Sequence, residues 1–505
     1  MKEVSKAKSN RIFYISLWLI PLAFYLFFAF FDGVTWCADS SSYVEMHDCR
    51  EPLYPTVLAL LRFAFGTTKD IANPGADLSL FTMVILQSIL AGIATASFVT
   101  FLVRQFLAEV DGGDYIYGVR MCTRDGRKKI DRLRIRYKLY AYLILLVPLA
   151  VSLLNRFAAQ RASMYSNSIM TEGIVISIYM LAFRYILDYM INGSKYPFRM
   201  ASFMIFIGIS TRKQMYVLLC LFVIAMIYRQ RKKLATVYTV VLIAGCALLF
   251  DCTYNLIQRD SFIIHTEDNR FVTTMAFYTA DRNFVNYIDP ELQEIYLQIY
   301  DACDHNKWLM KDAPYGWYDG VEHFADNYDH IQLDTMQLML DDFVDYCSYS
   351  GYDDSMTKTQ KIDAIRASFN RSLLPHELFR LPVVFFHNFL SGMVNTVARK
   401  NIVLCIYAAL IYLFFVILMI RNIYKDHAYG DSIEAEYDSH VQYLARKYKE
   451  RATLSVMTML AILGNVTLVS AVIFCQTRYA IYNMPIFYMA LLLCLPGLKA
   501  IRKEL

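Results

Sequence analysis

Long apolar runs, separated by polar and often basic segments, make up most of this chain. A helix that crosses a bilayer needs roughly 20 mainly apolar residues. The run at 199–210 is shorter than the others, and we expect it to be tilted or partly re-entrant. The predicted spans are 11–31, 78–103, 139–155, 169–187, 199–210, 214–228, 234–250, 401–420, 452–475 and 481–498. The pattern therefore predicts an all-α polytopic membrane protein with about ten transmembrane helices.

The same pattern divides the chain into three regions. Residues 1–250 form an N-terminal transmembrane module, which includes the first external loop at 32–77. Residues 251–400 form a mostly helical external domain, in which 251–372 carries about twice as many acidic as basic side chains. The last part of that domain, 373–398, is aromatic and apolar and is typical of an amphipathic helix in the membrane interface. Residues 401–505 carry the C-terminal transmembrane helices.

Lysine and arginine are concentrated on one side of the predicted membrane, although the net formal charge is only +5. Short cytoplasmic loops of membrane proteins carry an excess of these residues. The basic segments are 2–11, 120–138, 229–233 and 499–503. With ten spans all four lie on one face, so we expect both termini to be cytoplasmic and the loops 32–77, 155–168 and 251–400 to be external. A bacterial inner membrane is the expected location, with a eukaryotic secretory membrane as the alternative.

Composition and motifs exclude several classes of protein. Hydrophobic residues make up 57% of the chain and the mean hydropathy is +0.33, which is too apolar for a soluble globular protein. The eleven cysteines include no Cys-x-x-Cys pair and the histidines have no metal-binding spacing, so no metal or other cofactor is predicted. No glycine-rich phosphate loop is present, which argues against a nucleotide as the direct donor of a transferred group. The basic run 120–138 is typical of a cytoplasmic segment that contacts anionic lipid headgroups, and no nucleic-acid partner is expected.

The first external loop carries the clearest chemical signal. It reads Asp39-Ser40-Ser41-Ser42-Tyr43 and then Arg50-Glu51-Pro52-Leu53-Tyr54-Pro55. A carboxylate at the membrane face can accept a proton from an attacking hydroxyl, and an arginine can stabilise a leaving phosphate. The alternative is a solvated connector between two helices.

Three further segments carry candidate residues, and their order along the chain after this loop is informative. They are Met170-Thr171-Glu172 at the start of the fourth span, Thr211-Arg212 at the end of the fifth, and Arg478-Tyr479 with Pro485 at the last. In this order the chain resembles the type-C (GT-C) glycosyltransferases and is similar to protein mannosyltransferases and to the aminoarabinose transferases of lipid A. The resemblance covers roughly 1–250 and 380–498, and it implies a GT-C-type helical bundle.

The resemblance also implies roles for individual residues. Asp39 would be the catalytic base and Glu172 a second acid that faces the active cavity. Substrate-binding residues would be Tyr43, Arg50, Tyr54, Arg212, Lys213, Arg478 and Tyr479, with Arg212 and Arg478 on the donor phosphate. The implied donor is a polyprenyl-phosphate sugar, and the acceptor a glycan, a lipid or a protein. An oxygen-ligand cation site at Asp39 with Glu45 or Asp48 is a chemical alternative, but the resemblance implies none.

Each of these residues also has a structural explanation. Asp39 could cap the N-terminus of a following helix, because aspartate before serines is a good capping sequence. Glu172 could be a favourable acid in a first helical turn. Arg212 and Arg478, with the weaker candidates Arg50, Arg156, Arg161 and Lys213, could extend to lipid headgroups.

Two other functions remain alternatives. An envelope polysaccharide polymerase or ligase also joins lipid-linked sugars on the outer face, but the early acidic loop favours the glycosyltransferase. A lipid or solute transporter would place ionisable residues and broken helices near the membrane centre, often in repeated halves. The predicted spans are mostly uncharged at their centres and show no repeat.

Overall fold

Helices account for nearly all of the regular structure, as the apolar pattern predicts. The structure is a computed structural model. It describes residues 2–69, 71–107, 115–116, 119–120, 124–158, 162–229, 233–265, 269–347, 349–353, 356–399, 401–430 and 439–495. Within those residues the strands are one antiparallel pair of two residues each, Tyr115–Ile116 and Val119–Arg120. The prediction of an all-α membrane protein is confirmed.

The N-terminal region contains nine helices in the part of the chain that the structure describes. They are α1 (Lys2–Asp32), α2 (Ser40–Val44), α3 (Leu53–Phe65), α4 (Leu78–Leu102), α5 (Arg124–Ala158), α6 (Glu172–Asn192), α7 (Lys195–Thr211), α8 (Tyr216–Arg229) and α9 (Lys233–Arg259). A π-helical turn at Val103–Leu107 extends α4. Gly66 and Gly193 each have φ of 69° and end α3 and α6, because glycine adopts this left-handed conformation without steric cost.

Ten more helices follow among the described residues. They are α10 (Asn269–Thr279), α11 (Gln293–His305), α12 (Trp317–Asp329), α13 (Leu338–Tyr346), α14 (Lys358–Leu373), α15 (Leu381–Val397), α16 (Ile402–Gly430), α17 (Ser439–Ser470), α18 (Thr477–Ala480) and α19 (Met484–Cys494). A π-helical segment, His330–Gln337, joins α12 to α13.

Seven of the ten predicted spans are helices long and apolar enough to cross a membrane. In the described residues these are Arg11–Asp32, Leu78–Leu107, Ile135–Phe157, Glu172–Asn192, Lys233–Arg259, Ile402–Tyr429 and Ala445–Ser470. The chain is therefore a multi-pass membrane protein, and the coarse topological prediction is confirmed.

The other three predicted spans are helices of fewer than 18 residues. They are α7 with 17 residues, α8 with 14 and α19 with 11. At a rise of about 1.5 Å per residue, α7 is about 25 Å long and α19 is only about 17 Å. The last predicted span, 481–498, also extends beyond the described residues. A count of ten spans is thus not confirmed.

Side-chain contacts define the two ends of the bundle. Arg212, directly after α7, places Nη1 2.6 Å from the Glu172 carboxylate at the start of α6. Arg229, at the end of α8, donates through Nε to the Met190 carbonyl at 2.6 Å, near the end of α6. Both α7 and α8 therefore run between the same two ends. We call the end with Glu172 and Arg212 the site face, and the other end the opposite face.

The region predicted as an external domain has an aromatic core of its own. Helices α10–α14 supply most of this core, which also includes Val384 of α15 and Phe474. The region begins after α9 ends at Arg259, several residues beyond the predicted boundary at 251. The Phe277 ring lies 5.3 Å from both Tyr296 and Phe369, measured between ring centroids. Phe474 contacts the Tyr328 ring at 5.0 Å and ties the domain to the chain ahead of α18.

Helix α15 occupies the segment predicted as amphipathic. Val383, Phe386 and Leu390 expose 39%, 60% and 48% of their surface in a row with helical spacing. Val384 and Asn388, on the other side of the helix, are buried. The helix is amphipathic, and its position in the membrane interface stays a prediction.

Glu377, between α14 and α15, gives the region after α9 a pH-dependent stability. Its side chain is fully buried, and burial raises its pKa to about 7 despite Thr279 and Arg380, which act in the opposite direction. Between the ordinary value of 4.5 and about 7, the folded state holds a proton that the unfolded state has lost. Raising the pH through this window therefore costs stability, by roughly 3 kcal/mol for a shift of this size.

We expect Glu377→Gln to remove that dependence, because glutamine is neutral at every pH. The variant should match the wild-type melting temperature at pH 5 and exceed it at pH 8 in purified protein. Glu294→Gln, at an exposed position on α11, is the matched control and should keep the wild-type profile. Parallel pH profiles for wild type and Glu377→Gln would rule out a neutral buried carboxyl.

Candidate active site

Hydrogen bonds tie the first predicted external loop to the start of α6. Thr35 forms a parallel bridge with the chain at Ser168, and the Ile169 amide donates to the Thr35 carbonyl at 3.0 Å. The Ser40 hydroxyl donates to the Ile169 carbonyl at 2.8 Å. These bonds position the residue before Ser40, which is Asp39, beside the segment that leads into Glu172.

Asp39 occupies the N-cap position of α2 but does not cap it. Its side chain makes no capping hydrogen bond. Instead, Arg50 Nη2 donates to Oδ1 at 2.9 Å and Arg478 Nη1 donates to Oδ2 at 3.0 Å. The capping explanation for Asp39 is therefore wrong, and the carboxylate joins the first loop to the last helices of the chain.

These two arginines control the ionisation of Asp39. Burial by itself would raise the pKa of its carboxyl, but Arg50 and Arg478 outweigh burial and lower the pKa below its ordinary value. Asp39 is therefore a carboxylate at neutral pH. Its side chain retains 31% of its surface exposed, so one side of the group is open.

Glu172 and Arg212 form the buried ion pair of the site. Glu172 is the first residue of α6 and is 1% exposed, so it is both a first-turn acid and a buried one. Arg212 Nη1 lies 2.6 Å from its Oε1 and also donates to Thr171 Oγ1 at 3.3 Å. A buried carboxylate is stable only with such a partner. The Arg212 guanidinium thus lies in the protein and does not extend to lipid.

Arg478 and Tyr479 are held beside Arg212 by buried amides. Gln214 and Asn465 donate to the Tyr479 carbonyl at 3.0 and 2.8 Å, which ties the segment after α7 to α17 and to α18. The Tyr479 ring lies under both guanidinium groups, 5.0 Å from Arg212 and 4.9 Å from Arg478. Its hydroxyl accepts from Arg478 Nη2 at 2.9 Å.

Tyr43 and Tyr54 lie one behind the other beneath Arg50. The guanidinium lies 4.5 Å above the Tyr43 ring and donates to its hydroxyl at 3.3 Å. Burial raises the pKa of Tyr43 to about 12, so the phenol stays neutral and remains a donor. Tyr54 is fully buried, packs on Tyr43 at 5.2 Å and donates to Gln87 Oε1 at 2.8 Å. It supports Tyr43 from the protein interior.

A cavity of about 400 Å³ opens beside these residues at the site face. Its polar side is basic, with Arg50, Arg212, Lys213 and Arg270 against the single carboxylate Glu51. Its apolar side comes from the end of α17 and the chain after it, and consists of Leu468, Val469, Val472 and Ile473. Asp39 and Glu172 lie behind the arginines, bound to them. The cavity therefore suits an anionic group that is attached to an apolar chain.

Two residues of the site, Arg270 and Glu51, have no role in the sequence-based predictions, and one weaker candidate, Arg156, lies outside the site. Arg270 lines the cavity from α10, in a region for which the resemblance gives no counterpart. Glu51 accepts from the Lys213 amide at 3.0 Å and joins the first loop to the end of α7. Arg156 is paired with Asp32 at 2.6 Å, where it joins α5 to α1, and Arg161 lies outside the described residues. Among the residues described, no group of three or more His, Cys, Asp or Glu side chains could hold a metal ion.

We expect Glu172→Gln to destabilise the protein by roughly 3–5 kcal/mol, because it leaves Arg212 buried without a carboxylate. Asp39→Asn should cost less, since its side chain is 31% exposed and its arginines reach solvent. Chemical denaturation of the purified protein in detergent measures both. The double variant Glu172→Gln with Arg212→Gln should recover much of the loss, and simple additivity of the two single changes would contradict the pair.

No family model, no curated protein and no solved structure matches this chain. The resemblance to the type-C glycosyltransferases thus stays a prediction, which rests on the order of Asp39, Arg50, Glu172, Arg212 and Arg478 along the sequence.

Proposed function

We propose that this chain is an integral-membrane glycosyltransferase of the type-C class. It would transfer a sugar from a polyprenyl-phosphate-linked donor to a glycan, lipid or protein acceptor on the external side of the membrane. The observation that carries the proposal is the cavity at the site face, which has a basic side and an apolar side and lies beside two carboxylates.

The cavity suits the donor because a polyprenyl phosphate has the same two parts. Arg50, Arg212, Lys213 and Arg270 offer charge-assisted hydrogen bonds to the phosphate, and guanidinium groups can bind it with two parallel bonds. The wall of leucine, valine and isoleucine offers an apolar surface to the lipid. The cationic side chains that line the cavity favour an anion.

The ion pairs of Asp39 suggest how the donor activates the base. Without donor, Arg50 and Arg478 hold both oxygens of the carboxylate. A donor phosphate competes for the same guanidinium groups, and their transfer to phosphate would raise the pKa of Asp39 towards its ordinary value. The acceptor hydroxyl would approach from the open side of Asp39.

The reaction is then a single displacement. The acceptor oxygen forms a bond to the anomeric carbon of the sugar while its proton passes to an Asp39 oxygen. The bond from the anomeric carbon to the phosphate oxygen breaks, and the electron pair leaves with the polyprenyl phosphate. The arginines stabilise the charge that develops there. We assign Glu172 as a positioning residue, because it holds Arg212 at the wall of the cavity.

The membrane arrangement is part of the proposal. Because α7 and α8 run between the two ends of the bundle, we count them as spans, and we count α19 as the tenth. That gives ten passes, with both termini in the cytoplasm and the site face outward. Arg229 and Lys233, on the opposite face, agree with a cytoplasmic location for that side. A bacterial inner membrane is the proposed location.

Asp39→Asn tests the base. Asparagine keeps the shape and some of the hydrogen bonding but accepts no proton, so transfer should slow roughly 100- to 10,000-fold. Donor binding should be retained, because the cations that line the cavity are unchanged. The measurement is turnover of purified protein with a polyprenyl-phosphate sugar, together with direct binding of the donor. Asp301→Asn, in an exposed ion pair with Arg282, is the control, and wild-type turnover by Asp39→Asn would refute the mechanism.

Arginine substitutions test the phosphate contacts. Lysine keeps the charge of Arg212 or Arg478 but loses the bidentate fork, so each Arg→Lys variant should use the donor less well, and Arg→Gln should be worse. Initial rates over a range of donor concentrations separate weaker binding from slower chemistry. Arg282→Gln, in the exposed pair with Asp301, is the matched control. Unchanged donor dependence in both Arg212→Gln and Arg478→Gln would exclude a phosphate role.

A further inference from the structure

A histidine and an aspartate form a further ion pair where α9 ends and the chain turns towards α10. His265 Nδ1 contacts Asp251 Oδ2, and the two side chains are 7% and 8% exposed. The His265 backbone amide donates to the same oxygen at 3.3 Å. Asn255 donates to Asp251 Oδ1 at 3.3 Å and to the Ile263 carbonyl at 3.0 Å. The chain after α9 therefore folds back on that helix, and these bonds hold the imidazole in place.

The imidazole also belongs to the wall of the cavity at the site face. His265 lines that cavity, and so does Arg270 from α10. Asp251 occupies Nδ1 of the ring, so Nε2 is the ring nitrogen that can bind a ligand. The segment between α9 and α10 thus brings a second nitrogen donor to the cavity beside the guanidinium of Arg270.

Asp251 requires a positive partner. It lies in the span Lys233–Arg259, where an ionisable side chain is costly and usually functional. A buried carboxylate is stable only when it is paired and hydrogen-bonded. Within the part of the chain that the structure describes, no lysine or arginine forms an ion pair with Asp251, and Asn255 is neutral. Because a carboxylate only accepts, Nδ1 of His265 is the donor of the pair. The contact favours a positively charged imidazole.

The other charged groups of the cavity act on the imidazole in both directions. They are Arg50, Glu51, Arg212, Lys213 and Arg270. The four cations oppose a further positive charge, whereas Glu51 favours it together with Asp251. A phosphate in the cavity would add negative charge beside the cations and remove their opposition. The imidazolium is therefore most favourable when an anion is bound.

We propose that His265 binds phosphate in this cavity, donating from Nε2 as an imidazolium that Asp251 stabilises. Asp251 is a positioning residue, because it acts on the phosphate through His265. A phosphate on a lipid and free phosphate share the chemistry that this contact recognises. That the phosphate belongs to a sugar donor rests on the proposed function, whereas phosphate binding rests on the cavity and the pair. No covalent step is involved.

Asp251→Asn is the discriminating variant, because two explanations predict opposite results. Removing a negative charge near an anion would by itself strengthen phosphate binding. If Asp251 stabilises the imidazolium, asparagine leaves His265 neutral, and binding of farnesyl phosphate should instead weaken about tenfold through loss of a charge-assisted hydrogen bond. The measurement is calorimetric titration of the full-length protein in phosphatidylcholine nanodiscs, with the melting temperature of each variant recorded alongside.

His265→Gln tests the donor itself. Glutamine keeps a neutral N–H but carries no charge, so the affinity should again fall about tenfold. In the double variant Asp251→Asn with His265→Gln the two losses should not add, since each removes the same imidazolium. His330→Gln and Asp334→Asn alter an exposed histidine–aspartate pair outside the cavity. These two variants are the matched controls and should bind as wild type does.

The charge of the ring is a readout that a purely structural role would not change. In the complex with farnesyl phosphate, both ring nitrogens of His265 should carry hydrogen, as observed by solid-state nitrogen NMR of protein labelled at histidine. The chain has nine histidines, and the His265→Gln spectrum identifies the signal. In Asp251→Asn one ring nitrogen should lose its hydrogen. A neutral ring in the wild-type complex would overturn the proposal.

Inorganic phosphate, as a second probe, identifies the source of the ligand. Tighter binding of farnesyl phosphate would support a lipid-linked phosphate, and equal affinity with the same dependence on His265 would support free phosphate. The proposal fails if neither probe binds the wild type, or if Asp251→Asn and His265→Gln both bind normally.

The same variants separate this contact from the proposed function. If the wild type binds farnesyl phosphate in a manner that depends on His265 but transfers no sugar from a polyprenyl phosphate, the proposed function fails and the phosphate contact stands. Sugar transfer with the same donor dependence in wild type, His265→Gln and Asp251→Asn would overturn the phosphate contact alone.

Discussion

The site face depends on the mutual compensation of buried charges. Asp39 and Arg478 are 439 residues apart in the sequence, and their ion pair joins the first loop to the last helices. Glu172 and Arg212 join α6 to the end of α7 in the same cluster. Glu172 buried without Arg212 would cost several kcal/mol, whereas Asp39 and Arg478 are partly exposed and gain less from their pair. The arrangement of the bundle at this end follows from that requirement.

The same compensation explains why the cluster suits a ligand. Arg50 and Arg212 each have one side on a carboxylate and another side on the cavity. Glu172 therefore holds the Arg212 guanidinium in place before an anion arrives, and such preorganisation lowers the entropic cost of binding. The ion pairs that stabilise the resting protein thus set the geometry of the proposed phosphate site.

Much of the fold and the cluster could be predicted from the sequence. Apolar runs identify helices because the bilayer leaves few alternatives, and an acid or an arginine at the end of such a run is expensive enough to be informative. Glu172 is recognised in this way, whereas Asp39 and Arg50 follow from the chemistry of the first loop, and Arg212 and Arg478 from the resemblance. The lengths of α7 and α19 were less predictable, because hydropathy does not show where packing ends a helix. The partner of each charge also depends on contacts between distant segments. Sequence reasoning therefore left open whether Asp39 caps a helix, and it placed Tyr54 on the substrate although the ring lies behind Tyr43.

The close contact between α15 and α17 is a feature that the sequence does not reveal. Gly392 on α15 lies so close to its neighbours that an added Cβ would be 2.6 Å from Cys475 Sγ and 2.7 Å from Val466. Only glycine permits that contact, which presses α15 against α17 and the chain before Arg478. Asn395, one turn further along α15, donates to the Cys475 carbonyl at 2.8 Å. Helix α15 is therefore fixed to the segment that leads into Arg478. The backbone that positions this arginine on Asp39 is thus supported by close helix packing as well as by the ion pair itself.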